Sequence, residues 1–160
     1  MPRLVAVLLL LFIATTASAQ PSLLGTWQSS AERSAAFNRQ NAKLEERTHL
    51  FLEQLLGHST MVFTRTHVQF DMPDVETIST EGKASLLKGF SERYRYRTLS
   101  TTATQVTVEG KQPVTGTRAV TVFNFEDANT MWVYLSTPDF PRLHAREYFV
   151  RVQLEVKPAQ

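Results

Sequence analysis

The feature that most constrains this chain is a succession of short segments in which apolar and polar residues alternate with a period of two. About nine such segments follow one another at spacings of roughly 8–15 residues, which favours an antiparallel meander over strand–helix repeats. A meander exposes two edges unless it closes. We therefore predict a mainly β fold, an antiparallel up-and-down barrel of about eight or nine strands.

One segment, residues 30–57, breaks this alternation. Its apolar residues recur at the spacing of a helix with one buried face, carried by Phe37, Leu44, Phe51 and Leu55. Ser29 and Glu32 have the form of a capping box, and Gly57 is the expected glycine at the end. We predict a helical insert between strands 1 and 2. The weakly apolar stretch 37–41 leaves open whether it is one helix or two.

The first 19 residues have the form of a secretory signal peptide. Arg3 gives the positive start, residues 5–13 are apolar, and small residues end at Ala19. We predict cleavage between Ala19 and Gln20 and a periplasmic or secreted protein with one domain, residues 20–160. The apolar run is shorter than the ~20 residues that a transmembrane helix needs. Because the chain has no cysteine, its stability must come from a continuous core rather than from disulfides.

The composition argues against several classes of function. A formal net charge of +2 is too small for a nucleic-acid-binding surface. The four histidines do not have the spacing of a metal motif, and they are His49, His58, His67 and His144. The chain also lacks a Gly-x-Ser-x-Gly elbow, a phosphate loop and a thiol nucleophile. We therefore predict no catalytic residue, no metal and no cofactor. An enzyme of unknown class remains a second alternative.

Two strands carry conspicuous charge. Residues 92–99 alternate tyrosines with a row formed by Arg93, Arg95 and Arg97. We interpret this row as a solvated face opposite buried tyrosines, with a basic stripe for an anionic surface as the alternative.

The last strand, predicted to span residues 146–156, places Arg146, Tyr148, Val150, Val152 and Leu154 on one face. If that face is interior, the Arg146 guanidinium needs an anion or an aromatic ring beside it. One interpretation is structural, with Arg146 or Arg151 stacking on Trp27 at the closed end of a barrel. The other is that Arg146 holds a ligand carboxylate.

The combination of Gly25-Thr26-Trp27 on the first strand, the helical insert and Arg146-x-Tyr148 on the last strand resembles the calycin superfamily, which includes lipocalins and fatty-acid-binding proteins. The resemblance implies a lipocalin-like barrel around a cavity, with Arg146 and Tyr148 as ligands of a carboxylate. A fatty-acid-binding protein has no leader, and the later turn motif of lipocalins is missing here. The resemblance therefore points to a separate, lipocalin-like bacterial family.

Two functional hypotheses follow. In the first, the barrel binds a small hydrophobic or acidic ligand, such as a fatty acid, through Arg146, Tyr148, Tyr94, Tyr96 and Phe123, and the other end is closed by Gly25, Trp27 and Arg151. In the second, the barrel is solid, and a protein partner of unknown identity covers apolar residues in loops 72–90 and 136–145. Those residues are Leu86, Leu87, Phe90, Phe140 and Leu143.

Overall fold

The computed structural model of the protein describes residues 20–111, 116–135 and 144–152. Two helices lie in this part of the chain, α1 (Ala31–Asn41) and α2 (Glu46–Leu55). The strands are β1 (Gly25–Ser29), β2 (Thr60–Phe63), β3 (His67–Met72), β4 (Val75–Ile78), β5 (Ala84–Leu87), β6 (Phe90–Thr101), β7 (Gln105–Lys111), β8 (Arg118–Asp127), β9 (Thr130–Tyr134) and β10 (Arg146–Arg151).

Eight of these strands form a closed antiparallel barrel in the order β1-β10-β9-β8-β7-β6-β3-β2. Closure is made by β1, which pairs with β10 on one side and with β2 on the other. The predicted fold class is confirmed, since the barrel is an up-and-down meander and the helices lie between β1 and β2.

The alternation of each strand places one set of side chains inside the barrel. Trp27 and Met131 are fully buried there, and Trp27 makes an edge-to-face contact with Phe125 at a centroid distance of 5.8 Å. The rest of the interior cluster is aliphatic and aromatic, namely Leu23, Met61, Phe63, Val68, Val106, Val108, Phe123 and Phe149. Burial of this cluster is the main stabilising contribution to a chain without cysteine.

The two remaining strands, β4 and β5, form a separate hairpin. The hairpin continues the β3–β6 ladder in the same register after a bend, because Met72 pairs with Phe90 and Val75 pairs with Leu87. The bend is tight at Gly89, where an added Cβ would lie 2.5 Å from the carbonyl carbon of Pro73. Asp74 also holds the bend, since its carboxylate accepts a hydrogen bond from the Gly89 amide at 2.7 Å.

The insert consists of two helices, separated by an extended stretch at residues 42–45. The predicted capping box was wrong by one residue. Ser30 caps α1 by accepting from the Arg33 amide at 3.4 Å, whereas Ser29 is the last residue of β1 and is buried. The pattern Ser-x-x-Glu does not show whether its serine is still in the preceding strand. Gly57 follows α2 with a φ of 97°, as a glycine after a helix end often does.

Within the described ranges, neither helix is long and apolar enough to cross a membrane. Several predictions lie outside the described residues: the signal peptide at residues 1–19, the apolar residues Phe140 and Leu143, and the last strand after Val152.

Candidate functional site

The orientation of β10 differs from the prediction. Arg151 pairs with Trp27, and Phe149 pairs with Met131, so odd-numbered residues of β10 face the interior. Arg146 and Tyr148 therefore lie on the outer face, and their predicted place inside the barrel was wrong. The physical reason is that α1 covers this outer face. Both faces of β10 are then shielded from water, and alternation does not show which one is the interior.

On the outer face, the guanidinium of Arg146 is held between two aromatic rings. It lies 4.0 Å from the ring centroid of Phe37 on α1 and 3.6 Å from that of Trp132 on β9. Its Nη1 donates to the hydroxyl of Tyr148 at 3.3 Å. Such cation–π contacts stabilise a partly desolvated charge. The arrangement makes Arg146 a contact between α1 and the barrel.

Helix α1 also completes the hydrogen bonding of β10 where β1 ends. The Ser30 amide donates to the Tyr148 carbonyl at 2.8 Å, and the Tyr148 amide donates to the Ser34 hydroxyl at 2.9 Å. One turn further, the Asn38 carboxamide bonds both the amide and the carbonyl of Arg146, at 2.8 and 2.9 Å. Residues spaced by four on one helix face thus take the place of a neighbouring strand.

At the opposite end of the barrel, Arg151 stacks on the indole of Trp27, with its Cζ 4.2 Å from the ring centroid. Of the two arginines considered for this stacking, Arg151 occupies the position. Its side chain donates to the carbonyls of Ser22 and Ala128, at 2.8 and 3.1 Å. Gly25 provides the space, since its φ is 115° and an added Cβ would lie 2.9 Å from Arg151 Nη1.

The predicted interior residues Tyr94, Tyr96 and Phe123 do face the inside of the barrel. They line a cavity of about 40 Å³, which has room for water but is far below the ~300 Å³ of a small-molecule site. The Tyr96 hydroxyl is already used, donating to the Thr64 carbonyl at 2.6 Å. Burial, with a smaller effect of the nearby Glu92, raises the pKa of Tyr94 to about 12.

The arginine row of β6 lies on the outer face, opposite these tyrosines. Arg95 pairs with His67 and Arg97 with Glu109 across the neighbouring strands. The Arg97 guanidinium lies 2.9 Å from the Glu109 carboxylate, which Arg118 also contacts at 2.7 Å. The Glu109 pKa is lowered, first by its hydrogen bond with Arg118. The row is thus an exposed strand face on which Arg97 has a partner of opposite charge.

A buried carboxyl group that the sequence analysis did not identify lies at Glu147. Its Oε1 accepts hydrogen bonds from the hydroxyls of Ser29 at 2.6 Å and Ser59 at 2.9 Å. Ser29 in turn accepts from the Gly57 amide at 2.8 Å. Desolvation raises the pKa of Glu147, and the two serine hydrogen bonds oppose that shift only in part. The sequence signal was its interior position on β10, which the wrong orientation concealed.

A large concave surface in the described part of the chain lies outside the barrel. We call it the hairpin groove: a depression of about 510 Å³ between α2 and the β4–β5 hairpin, lined by Arg47, Leu50, Glu53, Gln54 and residues 78–82. Leu50 and Ile78 are 49% and 56% exposed and give it an apolar surface. The Gln54 carboxamide joins its two walls, since Oε1 accepts from the Ile78 amide at 2.6 Å.

The charged side chains around the hairpin groove differ in whether they have an ion-pair partner. The Glu53 carboxylate is paired with Arg39, and Glu81 is 3.2 Å from Lys83. Arg47 donates to the Thr80 carbonyl at 3.4 Å. Among the residues that the structure describes, no carboxylate lies within ion-pairing distance of Arg47. The groove therefore combines an apolar surface with one cation that has no acidic partner in the described part of the chain.

The histidines lie in different segments of the fold. His49 is buried on α2, whereas His67 at the start of β3 has its Nδ1 2.9 Å from the Thr66 hydroxyl. No group of three or more potential metal ligands occurs within residues 20–111, 116–135 and 144–152.

Comparison with known proteins adds no further assignment: no family model, curated protein or solved structure matches the chain. Fold and site define the class of the protein, a closed eight-stranded antiparallel barrel with a helical insert and an external groove. Its function has to be argued from this geometry.

Proposed function

We propose that the protein is a non-enzymatic binding protein that holds a small amphipathic acid, an apolar chain ending in a carboxylate, in the hairpin groove. One observation carries this proposal: an apolar depression of about 510 Å³ has Arg47 at its wall without a carboxylate partner in the described chain. The barrel then serves as a scaffold, and the resemblance to calycins is limited to the architecture of the barrel.

Size and polarity support the groove over the barrel interior. Its volume falls in the range of ~300–1,000 Å³ that is usual for small-molecule sites, and such sites are mostly apolar with a few polar groups. The interior cavity beside Tyr94 and Tyr96, about 40 Å³, is an order of magnitude smaller. An alkyl chain over Leu50 and Ile78 would cover side chains that are about half exposed.

Charge supports an acid over a neutral ligand. An arginine can hold a carboxylate with two parallel hydrogen bonds, and Arg47 contacts only a carbonyl at 3.4 Å among the described hydrogen bonds. The two glutamates nearby are engaged by Arg39 and Lys83, which lessens their repulsion of an incoming anion. As part of the same proposal, the signal peptide predicted at residues 1–19 would export the protein, so that binding would take place outside the cytoplasm.

Calorimetric titration with octanoate and with 1-octanol tests the proposal. We expect octanoate to bind more tightly than octanol, and Arg47→Gln to weaken octanoate about tenfold, the equivalent of a charge-assisted hydrogen bond of ~1.4 kcal/mol. Octanol binding should be unchanged in that variant. Arg95→Gln, on the outer face of β6, is the matched control.

Three results would contradict the proposal: no binding of octanoate, equal binding by wild type and Arg47→Gln, or an equal loss in Arg95→Gln. Leu50→Ser provides an independent check, because it should weaken both ligands together by removing apolar contact.

A second candidate function, interaction with another protein, is favoured by a different observation. Leu86 and Leu87 on β5 are 47% and 40% exposed and do not line the hairpin groove. A protein partner that covers these leucines would remove their apolar surface from water.

A further inference from the structure

The outer edge of β5 has hydrogen-bonding groups that point into solvent. Gln54 on α2 bonds the Ile78 amide and approaches its carbonyl at 3.4 Å, so these groups of β4 point away from β5. Ile78 stands opposite Ala84 in the antiparallel pair. In such a pair, both residues of a non-hydrogen-bonded position direct their backbone groups outward. The amides and carbonyls of Ala84 and Leu86 therefore face away from β4.

Two other strand edges of the fold, unlike this one, are covered by side chains from the helices. Asn38 on α1 bonds the edge of β10 at Arg146, where β1 does not pair with it, and Gln54 on α2 bonds the edge of β4. No described hydrogen bond is made outward by the backbone of Ala84 or Leu86, and all four residues of β5 are exposed. An uncovered edge strand with apolar side chains is a template for pairing with another strand.

We propose that β5 pairs with β5 of a second copy of this chain, antiparallel and centred on Ser85. In this register Ala84 is opposite Leu86 of the other copy, so the outward amides and carbonyls of both residues are satisfied on each side. The result is a continuous four-stranded sheet, β4-β5-β5-β4, across a twofold axis. A twofold contact of one surface with itself is the commonest symmetry of protein oligomers.

The charges that flank β5 are compatible with this register. Lys83 and Lys88 stand at its two ends, and both are largely exposed. With Ser85 at the centre, Lys83 lies opposite Leu87 of the other copy and Lys88 lies opposite Gly82. A shift by one residue in one direction would place Lys83 opposite Lys88, and like charges directly across a sheet are destabilising. That shift would also leave the outward backbone groups out of register.

The side chains are compatible with the same pairing. Ile78, Ala84 and Leu86 share one face of the hairpin, because Ile78 pairs with Ala84 and side chains alternate along β5. Across the twofold axis the Ala84 and Leu86 side chains of both copies lie together on this face, which also carries the exposed Glu76 opposite Leu86. The contact involves only about four residues of strand on each side, which places it with weak, reversible interfaces. The strand pairing itself uses β5, whose residues do not line the hairpin groove.

Sedimentation equilibrium of the purified protein tests the association. We expect a monomer–dimer equilibrium whose dimer fraction rises with concentration, and at least a tenfold weaker association in Leu86→Lys, which adds a third cation beside Lys83 and Lys88. Leu99→Lys changes an equally exposed leucine on β6 and should associate like the wild type.

Cysteine cross-linking tests the register, because the chain has no cysteine of its own. In the proposed pair the two Ser85 residues occupy a non-hydrogen-bonded position, with Cα atoms ~4.5 Å apart, within the range for a disulfide. Ser85→Cys should therefore oxidise to a covalent dimer about tenfold faster than Lys83→Cys, whose two Cα atoms would lie ~14 Å apart at ~3.4 Å per residue.

The two experiments together distinguish the proposed dimer from a monomer and from a dimer in another register. A dimer with selective cross-linking at Ser85→Cys supports the proposal. A monomer at all concentrations without selective cross-linking overturns it, and so does a dimer that cross-links equally through Lys83→Cys. Octanoate binding by Leu86→Lys serves as a folding control, since Leu86 does not line the hairpin groove. Its retention shows that a failure of dimerisation leaves the proposed function intact.

Discussion

Asn38 and Arg146 are joined by two hydrogen bonds that reproduce the pairing of neighbouring strands. The Asn38 carboxamide donates to the Arg146 carbonyl at 2.9 Å and accepts from the Arg146 amide at 2.8 Å. Gln54 contacts the backbone of Ile78 in the same manner from α2. Each helix of the insert thus covers a strand edge with a side-chain amide, which prevents pairing at that edge and satisfies its backbone groups.

The first prediction concerns this edge cover. Asn38→Ala removes both hydrogen bonds to Arg146 and leaves its amide and carbonyl without those partners. We expect the free energy of unfolding to fall by about 2–3 kcal/mol, since unsatisfied buried groups cost ~1–3 kcal/mol each. Urea denaturation measures the change.

The matched control is Asn41→Ala. Asn41 lies on the same helix and is exposed, and its side chain bonds the Phe37 carbonyl. Its loss should cost under ~0.5 kcal/mol, as surface substitutions usually do. Equal effects of the two variants would show that the edge cover does not stabilise the fold.

The second prediction concerns the stacked arginine. Arg146→Ala removes the guanidinium between Phe37 and Trp132 together with the packing of its aliphatic stem. We expect a loss of about 1–3 kcal/mol in the free energy of unfolding. Arg95→Ala on the outer face of β6 should stay within ~0.5 kcal/mol of wild type. An Arg146→Ala variant with the same free energy of unfolding as wild type would refute the role of Arg146 in attaching α1 to the barrel.

The third prediction concerns Glu147 and pH. Its pKa is raised above the ordinary value of 4.5 by desolvation. The folded state therefore binds the proton more tightly than the unfolded state. This stabilisation is fully present below pH ~4.5 and is lost as the pH rises through the folded-state pKa. Glu147→Gln keeps a hydrogen-bond acceptor for Ser29 and Ser59 and cannot ionise.

We expect the stability of Glu147→Gln relative to wild type to increase as the pH rises above 4.5 and then to level off. Urea denaturation between pH 4 and pH 8 measures this difference. Glu76→Gln, at an exposed position of β4, is the control for the change of charge. A constant difference between Glu147→Gln and wild type at all pH values would contradict the assignment of the raised pKa.

The barrel was predictable from the sequence because the alternation of apolar and polar residues within a strand shows that one of its faces is buried and the other exposed. Alternation in segments such as 92–99 requires only neighbouring residues, and the helical insert follows from apolar spacing within the insert itself. The placement of tyrosines inside and arginines outside β6 was correct for the same reason, since the outer face of that strand is exposed to water.

The site was not predictable because it depends on contacts between distant segments. The hairpin groove forms where α2 meets a hairpin more than twenty residues later in the chain. The bend that positions this hairpin lies at Gly89 and depends on the backbone of Pro73. The orientation of Arg146 failed because α1 covers the outer face of β10. A local pattern does not show which of two shielded faces belongs to the barrel.

The final prediction concerns the bend that places the hairpin beside α2. A Cβ at Gly89 would lie 2.5 Å from the Pro73 carbonyl carbon and 2.6 Å from the Asp74 nitrogen. These are backbone atoms, so Gly89→Ala must displace the chain rather than a flexible side chain. We expect the hairpin to open more readily and trypsin to cleave the native protein at Lys83 and Lys88 about tenfold faster, which corresponds to ~1.4 kcal/mol in the opening equilibrium. Gly110→Ala is the control, because its added Cβ would meet the Arg95 carbonyl oxygen at an ordinary 3.4 Å. Unchanged cleavage in Gly89→Ala would mean that the close approach at Gly89 does not hold the hairpin against α2.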